Sequence, residues 1–151
     1  MSLTVLVDYD SGNLHSAEKA FQRMAAEVGG GAVLVSDKPE DVARADRIVL
    51  PGVGAFGNAM QSLVALGLAS AICEAAERGT HLLGICLGMQ TLFESSDEHE
   101  LGKDAIPGLG VIPGKVIKFD ETKMAVPHIG WNGRTIHQES PVFNEISEEE
   151  D

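Results

Sequence analysis

Cys86 is the residue with the clearest chemical promise, in the stretch "HLLGICLGMQTLF" (81–93). An apolar run leads to Gly84, the cysteine follows two residues later, and Gly88 stands two residues beyond it. A helical pattern begins at once. A tight strand-to-helix corner needs small flanking residues, and glycine supplies them. The helix start offers free N–H groups and the positive end of a dipole, both of which favour a thiolate. The N–H of Leu87 can point at an oxyanion forming on an attacked carbonyl. "G-I-C-L-G" is therefore the cysteine counterpart of the G-x-S-x-G nucleophile elbow. The alternative is a small buried cysteine between two packing glycines. Cys73, the other cysteine, stands mid-helix among apolar neighbours and reads as core.

A second stretch, "LPGVGAFG" (50–57), also follows a buried strand. Its glycines at 52, 54 and 57 let backbone amides approach a ligand closely or adopt positive φ. A run of exposed N–H groups forms a nest for negative charge. The phosphate-loop pattern G-x-x-x-x-G-K-[ST] is absent and no lysine is near, so a transient oxyanion fits better.

These two stretches need a scaffold that brings them to one edge. "LTVLVDY" (3–9), "AVLVS" (32–36), "DRIVLPG" (46–52) and "HLLGIC" (81–86) read as strands, the first a continuous apolar run as in a strand covered on both faces. Helical spacing joins them: Leu14, Ala17, Phe21, Met24, Ala25 and Val28 in the first helix, which "GGG" (29–31) ends. "DKPEDVARA" (37–45) reads as a short helix, and residues 58 to 78 as a long one with Met60, Leu63, Leu66 and Ile72 inward. Buried strands alternating with helices predict a doubly wound, mostly parallel α/β sheet. Ligands bind such sheets beyond the carboxyl ends of the strands, where Cys86 and the glycine loop both lie. Farther on, "GLGVIPGKVIKFD" (108–120) and "MAVPHIGWNG" (124–133) predict an antiparallel hairpin or sheet extension.

Composition narrows the function classes. The 151 residues suffice for one domain with a proper core. Eleven Lys+Arg against 23 Asp+Glu leave a net charge of −12, which argues against a nucleic-acid or anionic-membrane partner. No secretory signal or membrane-spanning apolar run is present. The acidic runs "ESSDEHE" (94–100) and "NEISEEED" (144–151) read as solvated faces or ends. Two cysteines in apolar contexts suit a reduced, cytoplasmic protein. No histidine or carboxylate cluster has metal-ligand spacing, and no cofactor is expected.

Together, "PGVGAFG" and "GICLGMQ" resemble the class I (triad) glutamine amidotransferases. "DYDSGNLHS" (8–16), "GLGVIPGKVIKF" and "VPHIGWN" extend the resemblance through most of the chain, toward the branch that serves histidine biosynthesis. Asp10 stands where that branch commonly has glycine. The resemblance implies that Cys86 attacks the side-chain amide of glutamine and forms a thioester. It implies an oxyanion hole from Gly52, Val53, Gly54 and the Leu87 N–H, with Gln90 and Gly88 holding the substrate. Ammonia would pass to a (βα)8-barrel cyclase partner, near which Asn13 and Trp131 would lie. Trp131 as an aromatic interface anchor and Trp131 as a packing residue both remain open.

The family's base is a His-x-Glu on a strand well beyond "GWN". Of the five histidines, His15, His81, His99, His128 and His137, only His137 has that spacing, with Glu139. "HQE" lies where the family has a polar connection ahead of that strand, so it is not expected to be the dyad. His128 matches a family position that is not the base, His81 reads as structural, and His15 and His99 as solvated. The expectation is a single amidotransferase domain over 1–151 whose C-terminal part is missing, and which alone is inactive. Two rival readings remain. One is a non-catalytic α/β binding or regulatory relative that keeps the elbow without the dyad. The other is an elbow-cysteine peptidase or chaperone-like hydrolase, whose cysteine is typically followed by histidine rather than Leu87.

Overall fold

A computed structural model of the chain describes residues 2–10, 12–98, 105–131, 133, 140 and 141. The chain divides into two compact units, Met1–Lys118 and Phe119–Asp151. In the first, four parallel strands form the main sheet: β1 (Leu3–Val7), β2 (Ala32–Ser36), β3 (Arg47–Gly52) and β4 (His81–Cys86), in the order β2-β1-β3-β4. The expected strands and the parallel, doubly wound arrangement are present.

The sequence explains the central position of β1 and β3. Val5, Leu6, Val7, Ile48, Val49 and Leu50 are all at most 2 % exposed, so these strands are covered on both faces. An apolar run without alternation is what such a position requires. Helix α1 (Leu14–Val28) ends on Gly29, whose left-handed backbone turns its N–H back to the Ala25 carbonyl. Two of its six expected inner residues, Met24 and Val28, are exposed. Helix α2 (Pro39–Ala43) starts with proline at its first turn, where no N–H is needed.

The long helix expected over 58–78 is two helices, α3 (Phe56–Ala65) and α4 (Leu68–Glu77), crossing at 88°. Gly67 stands at the break with φ 70. Apolar residues continue on both sides of it, so the pattern reads through a bend that glycine alone permits. The bend lets Phe56, Leu63, Leu68 and Ile72 all enter one core with Val5, Val7, Ile48 and Leu50. Leu66, expected inside, is 41 % exposed at the corner. Burying a leucine or phenylalanine side chain contributes about 1.5–3 kcal/mol, so one bend that buries several offsets the lost helical turn.

After β4 comes the short helix α5 (Leu87–Thr91), then β5 (Phe93–Ser96), β6 (Ile106–Pro107) and β7 (Ile112–Val116). These three strands make a separate sheet in the order β6-β5-β7. The expected extension is thus a small mixed sheet: β6 pairs antiparallel with β5, and β7 pairs parallel with it. The described residues 124–131 form no strand, so the expected hairpin with 108–120 is not formed by them. The far end of α5 is tied to this sheet, since the Leu109 N–H donates to the Thr91 carbonyl (2.8 Å) and the Ile112 N–H to that of Leu92 (2.9 Å).

In the second unit, Asp120 organises a turn. Its carboxylate accepts from the Thr122 N–H and hydroxyl and pairs with Lys123 at 3.0 Å. These contacts, the Thr122 hydroxyl foremost, hold the Asp120 carboxyl below its usual range. Ile129 and Trp131 are fully exposed or nearly so.

Candidate active site

Cys86 ends β4 and is the N-cap of α5. Its backbone lies at φ 55, ψ −121, a conformation rare for a residue with a side chain. It is exposed, whereas Leu87 and Gly88 after it are buried. The flanking glycines have a concrete cause. A Cβ at Gly84 would approach the Cα of Met89 to 2.5 Å, and one at Gly88 would strike the Leu50 carbonyl oxygen. Helix α5 therefore lies directly on the β3–β4 backbone, and only glycine fits at both contacts. The elbow is held from below by the sheet and displays its thiol above it.

The glycine loop is the neighbour of this elbow. In the β3–β4 ladder, Pro51 pairs with Ile85 and Gly52 with Cys86. Adjacent strands lie about 4.8 Å apart, so the loop begins one strand spacing from Cys86. Beyond Gly52 the chain loosens. Val53 is 54 % exposed, and Gly54 has φ 103 with open space where a side chain would stand. Gln90 is half-buried on α5, four residues after Cys86.

Strain is concentrated at this edge. The described residues with positive φ that are not glycine are Asp10, Asn13 and Cys86. All three follow the carboxyl ends of β1 or β4. Strained backbone persists where surrounding structure over-determines it, and such places are commonly functional. Asp10, at φ 65, occupies the left-handed conformation for which glycine is best suited, which accounts for the glycine common at this position in the family it resembles. The Asp8 carboxylate supports the turn by accepting from the Asp10 N–H at 3.2 Å. Asn13 is the N-cap of α1 but makes no side-chain cap hydrogen bond, leaving its exposed amide to other uses.

Cys73 differs in every respect. It is half-buried on α4, and its thiol donates to the Leu109 carbonyl at 3.4 Å. Burial pushes this thiol up, with Glu77 and Glu74 adding to the shift. It lines an apolar groove of about 930 Å³ between α3, α4 and the β6 segment. Of the glycine loop only Gly57 borders that groove, and no residue of the elbow does.

No histidine among the described residues stands beside Cys86 in the sheet. His81 opens β4, five residues away, or roughly 16 Å along the strand. His15 is exposed on α1, where its ring lies 3.9 Å from the Glu18 carboxylate. His128 belongs to the second unit. His99, His137 and Glu139 lie outside the described residues. Among the described residues, no group of three or more His, Cys, Asp or Glu could hold a metal ion, and no single helix is long and apolar enough to cross a membrane.

Sequence comparison decides between the readings of this elbow. The glutamine amidotransferase class-I family profile matches residues 5–151.

The chain belongs to the class-I glutamine amidotransferase family.

Among curated proteins, this amidotransferase is similar to the imidazole glycerol phosphate synthase subunit HisH of Cereibacter sphaeroides, 55 % identical over 95 % of this chain and 68 % of the relative. The subunit of the same name from Ruegeria pomeroyi is 47 % identical over 96 % of this chain and 68 % of its own length. That from Bacillus licheniformis is 44 % identical over 95 % and 66 %. The chain thus spans about two thirds of the length of these relatives. Among solved structures, a glutamine amidotransferase is similar at a TM-score of 0.55 and 21 % identity, covering 71 % of this chain and 52 % of that one. A protein described as a putative peptidase E from Listeria monocytogenes is similar at 0.53 and 14 %, covering 74 % and 63 %. These two likenesses concern the fold alone, which an amidotransferase and a peptidase share.

One residue of this edge escaped sequence reasoning. Tyr9, two residues beyond β1, is 1 % exposed, and its hydroxyl lies against Gly52. Its aromatic type signals only burial; the contact arises from strand order.

Proposed function

We propose that this chain is the glutaminase subunit of an imidazole glycerol phosphate synthase, with Cys86 as nucleophile. The observation that carries the reading is the pairing of Gly52 with Cys86, which supports a glycine loop acting together with the elbow cysteine. The Cys86 sulfur attacks the side-chain amide carbon of glutamine. The oxyanion is held by N–H groups of the Gly52–Val53–Gly54 loop and of Leu87. Ammonia leaves, and water then releases glutamate from the thioester. Gln90 and Gly88, on the first turns of α5, hold the substrate.

The proton transfers need a base. In the family's triad a His-x-Glu pair other than His137 and Glu139 supplies it. The ammonia passes to a (βα)8-barrel cyclase, and Asn13 and Trp131 belong to the surface that meets it. A cytoplasmic site of action agrees with two free thiols, Cys73 and Cys86. Leu87, 3 % exposed directly after the nucleophile, cannot serve as the base that elbow-cysteine peptidases carry there.

The test is labelling of the full-length subunit, in complex with its cyclase, by a glutamine-like electrophile. One label per chain at Cys86 is expected, with glutamate release lost in step. Labelling at Cys73 alone, or equally at both, overturns the assignment. Absence of both labelling and glutamate release would favour a non-catalytic relative.

A further inference from the structure

The glycine loop is fixed at one end and loose at the other. Its fixed end is Gly52, where a Cβ would collide with the Tyr9 hydroxyl, come within 2.7 Å of the Gly88 nitrogen and within 3.1 Å of the Leu87 Cβ. Three groups, two from α5 and one from the segment after β1, thus close around the place a Cβ would take. From Val53 onward the packing opens, and a recess of about 230 Å³ lies beside the loop, bordered by Tyr9, Asp10, Val53, Gly54 and Asn58. Gly52 is therefore the pivot about which the following peptide planes can turn.

Two of the three groups at the pivot, Leu87 and Gly88, belong to the elbow itself. Tyr9 is the only one that comes from elsewhere, and it is anchored in the core with Leu50, Phe56 and Leu87. We propose that Tyr9 is a positioning residue for the oxyanion loop: its buried hydroxyl, wedged under Gly52 beside Gly88, sets where the pivot stands relative to Cys86. This inference rests on the glutaminase reading. The oxyanion forms only after the thiol attacks, so a displaced pivot weakens the transition state and leaves substrate binding alone.

The test uses the full-length subunit with its cyclase and measures glutamate release. Tyr9→Phe keeps the ring and removes the hydroxyl. A fall in kcat of about five- to thirty-fold is expected, below the ~100- to 1,000-fold of losing a donor outright. KM for glutamine should stay within about two-fold, and Tm within a few degrees. Gly52→Ala is the second variant. Its methyl meets the hydroxyl in the parent but the vacated space in the double variant, so the two losses in kcat should be less than additive. Unchanged kcat in Tyr9→Phe, a raised KM at constant kcat, a loss that follows a large fall in Tm, or full additivity each overturns the role of Tyr9. Should Gly52→Ala not fold, the kcat and KM of Tyr9→Phe decide alone. Failure of the parent complex to release glutamate would instead remove the glutaminase reading and the inference with it.

Discussion

Gly88→Ala offers a sharp test of the elbow's architecture. The new Cβ would strike the Leu50 carbonyl oxygen and sit 2.6 Å from the Leu50 carbonyl carbon and 3.0 Å from that of Pro51. These are backbone atoms of a central strand, so no side chain can rotate away. Ordinary contact begins near 3.4 Å, and α5 must lift by at least the difference, 0.8 Å. Such overpacking costs about 1–3 kcal/mol. In a domain of this size that lowers Tm by roughly 2–12 °C. The larger effect falls on the chemistry, because the same lift moves the Leu87 N–H and the Cys86 sulfur away from the loop that pairs with them at Gly52. A misplacement of about 1 Å can cost ~100-fold in rate. Glutamate release by the full-length subunit with its cyclase should therefore fall about 100-fold while the melting transition remains cooperative. Parent-like turnover together with parent-like Tm would show that α5 does not lie on the strands as described.

Three further outcomes are expected. Gly67→Ala places a side chain at φ 70 and should cost about 1–2 kcal/mol, read as a lowered denaturant midpoint with unchanged slope, since the bend between α3 and α4 must be kept to bury Leu68 and Ile72. Burial raises the Cys73 thiol above the ordinary 9.0, so its stabilising neutral form is complete below that value and lost as pH rises through the folded-state value; alkylation of Cys73 in the Cys86→Ser variant should stay slow near pH 7 and accelerate only in alkaline solution, and rapid reaction at neutral pH would contradict its packing. Asn13→Ala and Trp131→Ala should each weaken binding of the cyclase, Trp131→Ala by ten-fold or more as a large exposed aromatic anchor, without lowering Tm; calorimetric titration of the two subunits would reveal unchanged affinity if the surface lies elsewhere.

Much of the site was legible because its rules are local. A cysteine flanked by glycines two residues away on either side is a statement about one turn, and the collisions awaiting a Cβ at Gly84 and Gly88 are its physical content. The apolar runs of β1 and β3 likewise announced burial on both faces, since alternation is lost only there. The family resemblance also pointed to Asp10 as an odd occupant, and its φ of 65 shows why. What stayed illegible depends on partners distant in the chain. The apolar period runs on through Gly67, so the bend that makes two helices became visible only in the core that both must fill. Residues 108–120 and 124–133 look like hairpin arms because they are close in sequence, yet β7, within the first of them, pairs with β5; short apolar runs carry no label for their partner. The placement that matters most for chemistry was of this second kind. Nothing in "LPGVG", "GICLG" or "DYD" states that Gly52 pairs with Cys86 and that the Tyr9 hydroxyl lies beneath it. Sequence alone pointed to a cysteine on a tight corner and to a glycine loop rich in backbone amides. The order β2-β1-β3-β4 and its register, with the buried strands β1 and β3 at the centre, decided that Gly52 and Cys86 share one edge.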